Sequence, residues 1–431
     1  MRNKIFVISA KQQLCFLLYL MVFFSSLVVF QFNGRTFFLY LQIIFCIVFI
    51  FVYKKVVILP SLLVNMIFLQ FILTVISGIT GNMTESYKKA SLVLALYMIP
   101  MYFSVSSCFS LIKNDNSILI LIKKAFKAMC FFQLLWIPLQ YFMYHIGGID
   151  INQVIFVDTF KLLDNASFIR SWVYYPSGFT WHSAVLAPMF VIAFFLFKSL
   201  PFRTLIFIDA IICGNSTALI GVLVCACLYF VYILIDKYKK KKYTLKAKSI
   251  IIGMLFVGIM LIILFRFSLI QVISDRIIYL WTRLFGNEID ASTEAHLQYF
   301  ADYVTIFQNS SLFQILFGYG EGCSGYTISQ MYNRYTSLGN WAIECDIINI
   351  LVNRGIVGFV LYYVFLMYIA IKGRKKDIRY FIVMISILIQ GFGYNVQWDY
   401  VFFIELIMFF SLKLNLNFFE IQKGKTKNPI I

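Results

Sequence analysis

Charge is scarce in this chain. Asp, Glu, Lys and Arg make up 13% of its 431 residues, where soluble domains carry about 25%. A soluble globular protein is excluded on that ground. Histidine is scarcer still, with 3 residues, and the Cys and His show no metal-ligand spacing. No phosphate-binding loop ending in Gly-Lys-Ser/Thr is present. The short alternating segments of an outer-membrane barrel are missing too. So is a small-residue cleavage pattern near the start: Lys11 is followed directly by a full apolar run, which reads as a signal anchor.

Apolar residues fill the space. They make 61% of the chain, with 48 Phe and 27 Tyr, and mean hydropathy is +0.85. The runs are solid and close to the roughly 20 residues that cross a bilayer. The expected fold is therefore an all-α polytopic membrane protein with about 12 transmembrane helices, near 13–31, 36–53, 56–79, 90–111, 127–147, 179–200, 203–213, 216–235, 250–266, 347–371, 380–396 and 399–416. The seventh is too short to cross upright and must be tilted, broken or enclosed. Pro60 and Pro100 are expected within or at the ends of helices, where they make kinks that neighbours re-satisfy. The chain divides into five helices over 1–147, an outer loop over 148–178, four helices over 179–267, a large outer loop over 268–346, three helices over 347–416 and a tail over 417–431.

A net charge of +18 invites a nucleic-acid partner, and the placement of the cations argues against one. With the N-terminus inside, 27 of the 37 Lys and Arg fall on inner segments. Among them are the runs 237–242 and 372–376. That is the positive-inside bias, and it puts both termini in the cytoplasm. Seven Cys lie in the apolar runs as small packing residues. Cys323 and Cys345 share the large outer loop, where an oxidising compartment would permit a disulfide.

A loop as long as 268–346 is usually functional. It holds Arg276, Arg283, Glu294, His296, Tyr299, Gly318, Gly320, Glu344 and Asp346, and Arg354 follows closely. Arg170 lies in the first outer loop, and His182 where the chain re-enters the membrane. Residues 293–308 suggest an amphipathic helix over the membrane mouth: Leu297, Phe300, Ala301 and Val304 form an apolar stripe, and His296, Tyr299 and Tyr303 share another face. Cations and carboxylates gathered outside, where no ATP is available, suit an anionic substrate that arrives already activated. A lipid pyrophosphate is such a substrate, because the Arg fork matches phosphate oxygens. Asp209 and Glu405 fall inside apolar runs and suggest the rival reading of a transporter with a proton relay.

Three stretches carry a resemblance. Ser177-Gly-Phe-Thr-Trp-His-Ser-Ala-Val-Leu-Ala187 looks like a Ser-Gly-x-Phe segment that enters a helix after an outer loop. Ser216-Thr-Ala-Leu-Ile-Gly221 is similar to the start of a later helix. Leu316-Phe-Gly318-Tyr-Gly320 and Asn349-Ile-Leu-Val-Asn-Arg-Gly355-Ile-Val-Gly358 look like a Gly-x-Gly turn and a closing helix. In this order the chain resembles the O-antigen and capsule repeat-unit polymerases (Wzy-type), relatives of the O-antigen ligases. It departs from them where Tyr175 stands for a basic residue, where the second stretch lacks its Arg, and where His296 stands near a common Arg position. Ligases carry a His at the position of Glu344, which favours polymerase.

The resemblance implies a glycosyltransferase of the bacterial inner membrane, acting at its outer face on undecaprenyl-pyrophosphate-linked oligosaccharides. It implies no metal and no cofactor, and as further partners a chain-length regulator and a flippase of the same pathway. A pyrophosphate leaves as a stabilised anion, so a cation clamp can replace the acid that a glycosidase needs. What remains is one base for the acceptor hydroxyl. Arg276, Arg283 and Arg170 are expected on the pyrophosphate, with His296 assisting. Glu344 is the first choice for base, and Glu294 or Asp346 the second. Tyr299, His182, Gly318, Gly320 and Arg354 complete the expected substrate site.

Overall fold

The structure is a computed structural model that describes residues 9–80, 84–163, 169–170, 173–180, 182–239, 301–327, 345–397 and 399–420. Helix α1 (Ala10–Phe23) leads through a hairpin of β1 (Gln31–Phe32) and β2 (Arg35–Thr36) to α2 (Phe37–Tyr53). Then come α3 (Leu62–Thr80), α4 (Glu85–Leu96), α5 (Met98–Asn114) and α6 (Ser117–Gly147). The loop after α6 folds into a π-helical turn at Gln153–Thr159 and a hairpin of β3 (Ile169–Arg170) with β4 (Val173–Tyr174). A 3-10 turn, Ser183–Leu186, opens α7 (Ala187–Leu196), followed by α8 (Leu200–Ile212) and α9 (Ser216–Lys239). Beyond helical residues 301–308 lie α10 (Leu312–Phe317), α11 (Asp346–Lys376), α12 (Ile378–Gly393) and α13 (Asp399–Lys413).

The fold is all-α, and four helical stretches among the described residues are long and apolar enough to cross a membrane: Leu62–Thr80, Glu85–Asn114, Ser216–Ile233 and Asp346–Lys376. The expected ninth run, 250–266, lies outside the described residues. Apolar surface is sorted as a lipid-facing bundle requires. Phe51, Leu62 and Ile72 on α2 and α3 stay exposed. By contrast α13 is buried on every side from Tyr400 to Ser411, and α7 from Ala187 to Phe195. A helix apolar all round belongs at the centre.

Three expectations need correction. Pro60 lies in the connection between α2 and α3, so it kinks neither. Pro100 meets its expectation: it stands at the start of α5, three residues past the break at Tyr97 that divides the helical stretch Glu85–Asn114. The sixth run does not form one helix over 179–200, because residues 177–180 are a turn fixed by side chains of α6, described below. Of the expected apolar stripe, the described members Ala301 and Val304 are exposed, while Asp302 and Ile306 are buried. Ile306 packs with Cys345, Ile348 and Val352. A helix beside a bilayer has two apolar surroundings, so its stripe alone cannot say which one is protein.

Basic residues gather at the far end of the bundle from Asp346, at the close of α11, whose run from Ile356 to Lys376 spans roughly 30 Å. There Lys11 pairs with Asp115 at 3.2 Å, Arg379 with Asp377 at 2.5 Å, and Lys123 donates to the Glu420 carbonyl at 2.7 Å.

α11 is broken where it meets α10. Gly355 sits at φ 66, ψ −173, inside an otherwise helical run. The break exposes carbonyls that the 318–320 turn takes up: Tyr319 N–H donates to Val352 at 2.8 Å and Gly320 N–H to Asn353 at 3.1 Å. A polar stripe on α3 takes up others: Gln70 donates to the Arg354 carbonyl at 2.7 Å, Thr74 to Phe317 at 3.1 Å, and Ser77 to Gly318. Backbones this close leave no room for Cβ. One added at Gly355 would lie 2.4 Å from the Leu316 carbonyl carbon, and one at Gly318 would lie 2.2 Å from the Asn353 oxygen. Both glycines also have positive φ. Gly355→Ala is expected to cost roughly 2–4 kcal/mol, strain plus overlap. Gly34→Ala, at φ +69 with nothing within 4 Å, should cost only the strain of about 1 kcal/mol. Thermal unfolding in detergent checks this; equal losses would mean that the close approach contributes nothing.

Candidate functional site

The three stretches singled out in the sequence meet at one end of the bundle. Gly178 turns at φ +64, and its N–H donates to Gln140 of α6 at 2.7 Å while Phe179 N–H donates to Gln133 at 2.8 Å. Asn152 donates to the Gly178 carbonyl at 2.8 Å. The turn delivers His182, whose Nδ1 accepts from Ala184 N–H at 3.0 Å. That bond fixes the tautomer with the proton on Nε2. The His182 ring stacks on Tyr394, with centroids 5.3 Å apart. Gln390 of α12 then ties the first two stretches together, donating to the carbonyls of Ala187 at 2.9 Å and Thr217 at 3.4 Å. Gly221 gives the Gln390 side chain its space.

Arg354, beside the α11 break, is the hub of the third stretch. Its Nε and Nη2 each donate to Glu321 at 2.8 Å, and its Nη1 to Gln397 Oε1 at 2.6 Å. The guanidinium also lies 4.5 Å over the Phe71 ring of α3. Gln397 passes the link on through its Nε2, 3.3 Å from Asp346 Oδ2. Asp346 accepts two more bonds, from Val396 N–H at 3.3 Å and Tyr363 OH at 3.5 Å. As the first residue of α11 it also meets the positive end of the helix dipole. Asn349 and Asn353 hold Ser324 on the next turns, at 2.6 and 2.8 Å.

This arrangement changes what each candidate is available for. The Arg354 fork is committed to Glu321. Asp346 is 1% exposed, so it orients Gln397 and Arg354 from behind. Asp399, exposed at the start of α13, is close enough to Glu321 and Arg354 to feel both charges. Gly318 and Gly320 are turn residues pressed against α11 and Ser91 of α4. Arg170 is placed by its backbone opposite Val173 in the hairpin. Arg276, Arg283, Glu294, His296, Tyr299 and Glu344 lie outside the described residues. Cys323 and Cys345 are both buried free thiols, not a disulfide. No group of metal-ligating side chains occurs among the described residues.

Sequence reasoning missed Glu321, Gln397, Tyr363, Gln390 and the supporting Gln70, Gln133 and Gln140. Most were visible as uncharged polar residues within apolar runs, where a side-chain hydrogen bond to another helix is their usual reason to exist. Two acids are more deeply placed. Asp209 on α8 and Glu405 on α13 are both 0% exposed. Neither Asp209 oxygen has a hydrogen-bond partner among the described residues. Comparison of the chain with models of known protein families and with curated proteins returns no match.

Two measurements probe the site. Glu321→Ala strands a guanidinium that is 12% exposed, and breaking such a buried pair is expected to cost roughly 3–5 kcal/mol. The double change Glu321→Met with Arg354→Met should recover much of that loss in the same unfolding assay; additive losses would mean that the pair is not coupled. Burial pushes the Cys323 thiol up to about 12, with the Ser91 hydroxyl pulling the other way. At pH 8 such a thiol is about 10⁻⁴ thiolate. N-ethylmaleimide should therefore leave Cys323 unmodified in the folded protein and modify it in dodecyl sulfate, read by peptide mass spectrometry. Fast modification of the folded protein would mean that the 318–322 turn stands open.

Proposed function

We propose that this protein is a repeat-unit polymerase of the bacterial inner membrane, with 12 spans and both termini in the cytoplasm. In the reaction, a hydroxyl of an incoming lipid-linked repeat attacks the anomeric carbon of the growing chain. The bond to undecaprenyl pyrophosphate breaks, the pyrophosphate leaves as an anion, and a carboxylate takes the hydroxyl proton. Glu344 is the proposed base. Arg170, Arg276 and Arg283 are the proposed clamp, assisted by His296, and Tyr299 and His182 line the sugar path. Asp346 is a positioning residue that aligns Gln397 and Arg354. No metal or cofactor takes part. A chain-length regulator and a flippase are the proposed protein partners.

The observation that supports this reading most is the convergence of the three separate stretches. Residues 177–187, 216–221 and 316–320 with 349–358 meet around the 394–397 loop, where the bidentate Arg354–Glu321 ion pair lies. The gathering of basic residues at the other end fits a cytoplasmic face there. The buried acids Asp209 and Glu405 favour a second reading, a lipid-linked oligosaccharide flippase.

Surface polysaccharide on a gel separates the two. Cells lacking the protein should keep a single repeat unit on the lipid core and lose the ladder of longer chains. Asp346→Asn should cut long chains by about 10²-fold through misplacement of the site, with the protein still in the membrane. Loss of even the single repeat, with lipid-linked units trapped inside, establishes the flippase reading instead, and free polymer unattached to core establishes a ligase.

A further inference from the structure

Asp346 is not the only carboxyl group in its neighbourhood. Glu405 projects from the middle of α13, 0% exposed, toward the same stretch of α11. Its Oε2 lies 3.4 Å from the hydroxyl of Tyr362, the neighbour of the Tyr363 that bonds Asp346. The two phenol rings are 5.6 Å apart at 78°. Asp346, Tyr362 and Tyr363 are the titratable groups that act on Glu405. The other helix packed lengthwise on α13 is α5, which brings Phe109 against Phe410. Two buried carboxyl groups thus meet the adjacent tyrosines Tyr362 and Tyr363 of α11.

Their surroundings differ in kind. Asp346 receives an N–H from Val396, an N–H from Gln397 and the Tyr363 hydroxyl. It stands at a helix N-terminus, one glutamine away from a guanidinium. All of these favour a carboxylate, which can only accept. Among the described residues Glu405 has one phenol within reach, no pairing cation, and an Oε1 with no hydrogen-bond partner. A full charge on such a group is prohibitively costly, and a second one beside Asp346 more so. We propose that Asp346 and Glu405 carry a single negative charge between them, held on Asp346, with Glu405 as the protonated member. Glu405 then serves the site by being neutral: it supports Tyr362 without competing with Asp346 for the donors that set Gln397 and Arg354.

The direct test needs no activity. Infrared spectra of the purified protein should show the carbonyl stretch of a protonated carboxylic acid that disappears in Glu405→Gln and persists in Asp346→Asn. A band lost in Asp346→Asn and kept in Glu405→Gln, or no change in either, overturns the assignment. The functional counterpart rests on the polymerase reading. Glu405→Gln, which keeps a neutral hydrogen-bonding group, should make the polymer ladder within about twofold of the unaltered protein, with an unshifted pH profile, while Asp346→Asn should not. A ladder lost in Glu405→Gln despite normal membrane levels would show that the Glu405 proton must move, and overturns the idea. If the infrared bands behave as expected while deletion of the whole protein leaves the ladder intact, the polymerase reading fails and the charge assignment stands.

Discussion

The contact between the 318–320 turn and the break in α11 governs this end of the molecule. A helix that stops hydrogen-bonding to itself inside an apolar bundle leaves carbonyls that must find donors, because no water is there to supply them. The turn and the Gln70-Thr74-Ser77 stripe of α3 supply those donors in place. Once the carbonyls are satisfied, Arg354 is held beside the break with its fork on Glu321. The order of dependence runs from backbone to side chain: without the two glycines there is no approach, and without the approach the Arg354 carbonyl and guanidinium have nothing to fix them.

The same device recurs with different residues. Gln133 and Gln140, seven apart on α6, hold the 178–179 turn, and Gln390 holds the starts of α7 and α9. Amides suit this work. They donate and accept without a charge to be desolvated, and each can join two backbones at once. Among the described residues the Arg354 ion pair and the basic cluster near Lys123 are two such charged groupings, and Asp209 and Glu405 are fully buried acids apart from both.

Much of this was legible in the sequence, and the reason is solubility in lipid. Solid apolar runs located most helices to within a few residues, as for 216–235 against α9 and 347–371 against α11. The glycines at 318 and 320 announced a turn, whereas Gly355 read as part of a continuous closing helix and its break was not foreseen. Three things were hidden. Proline position relative to a helix end cannot be read from an apolar run, so Pro60 was misjudged. The orientation of 301–308 depended on which apolar medium its stripe meets. Partner choice was hidden as well: nothing in a one-dimensional pattern says that Arg354 is taken by Glu321, thirty-three residues earlier, or that Asp346 reaches Gln397, fifty-one residues later.

One consequence concerns the order in which the chain can be put together. α7 has ten residues, about 15 Å of helix, half of what a bilayer demands. It is enclosed by α6, α8, α9 and α12, and α12 begins almost two hundred residues downstream. Lipid cannot hold so short a segment at depth, and its last wall does not yet exist when it leaves the ribosome. The central helix of the bundle is therefore among the last to be seated, and assembly of this protein cannot proceed one hairpin at a time.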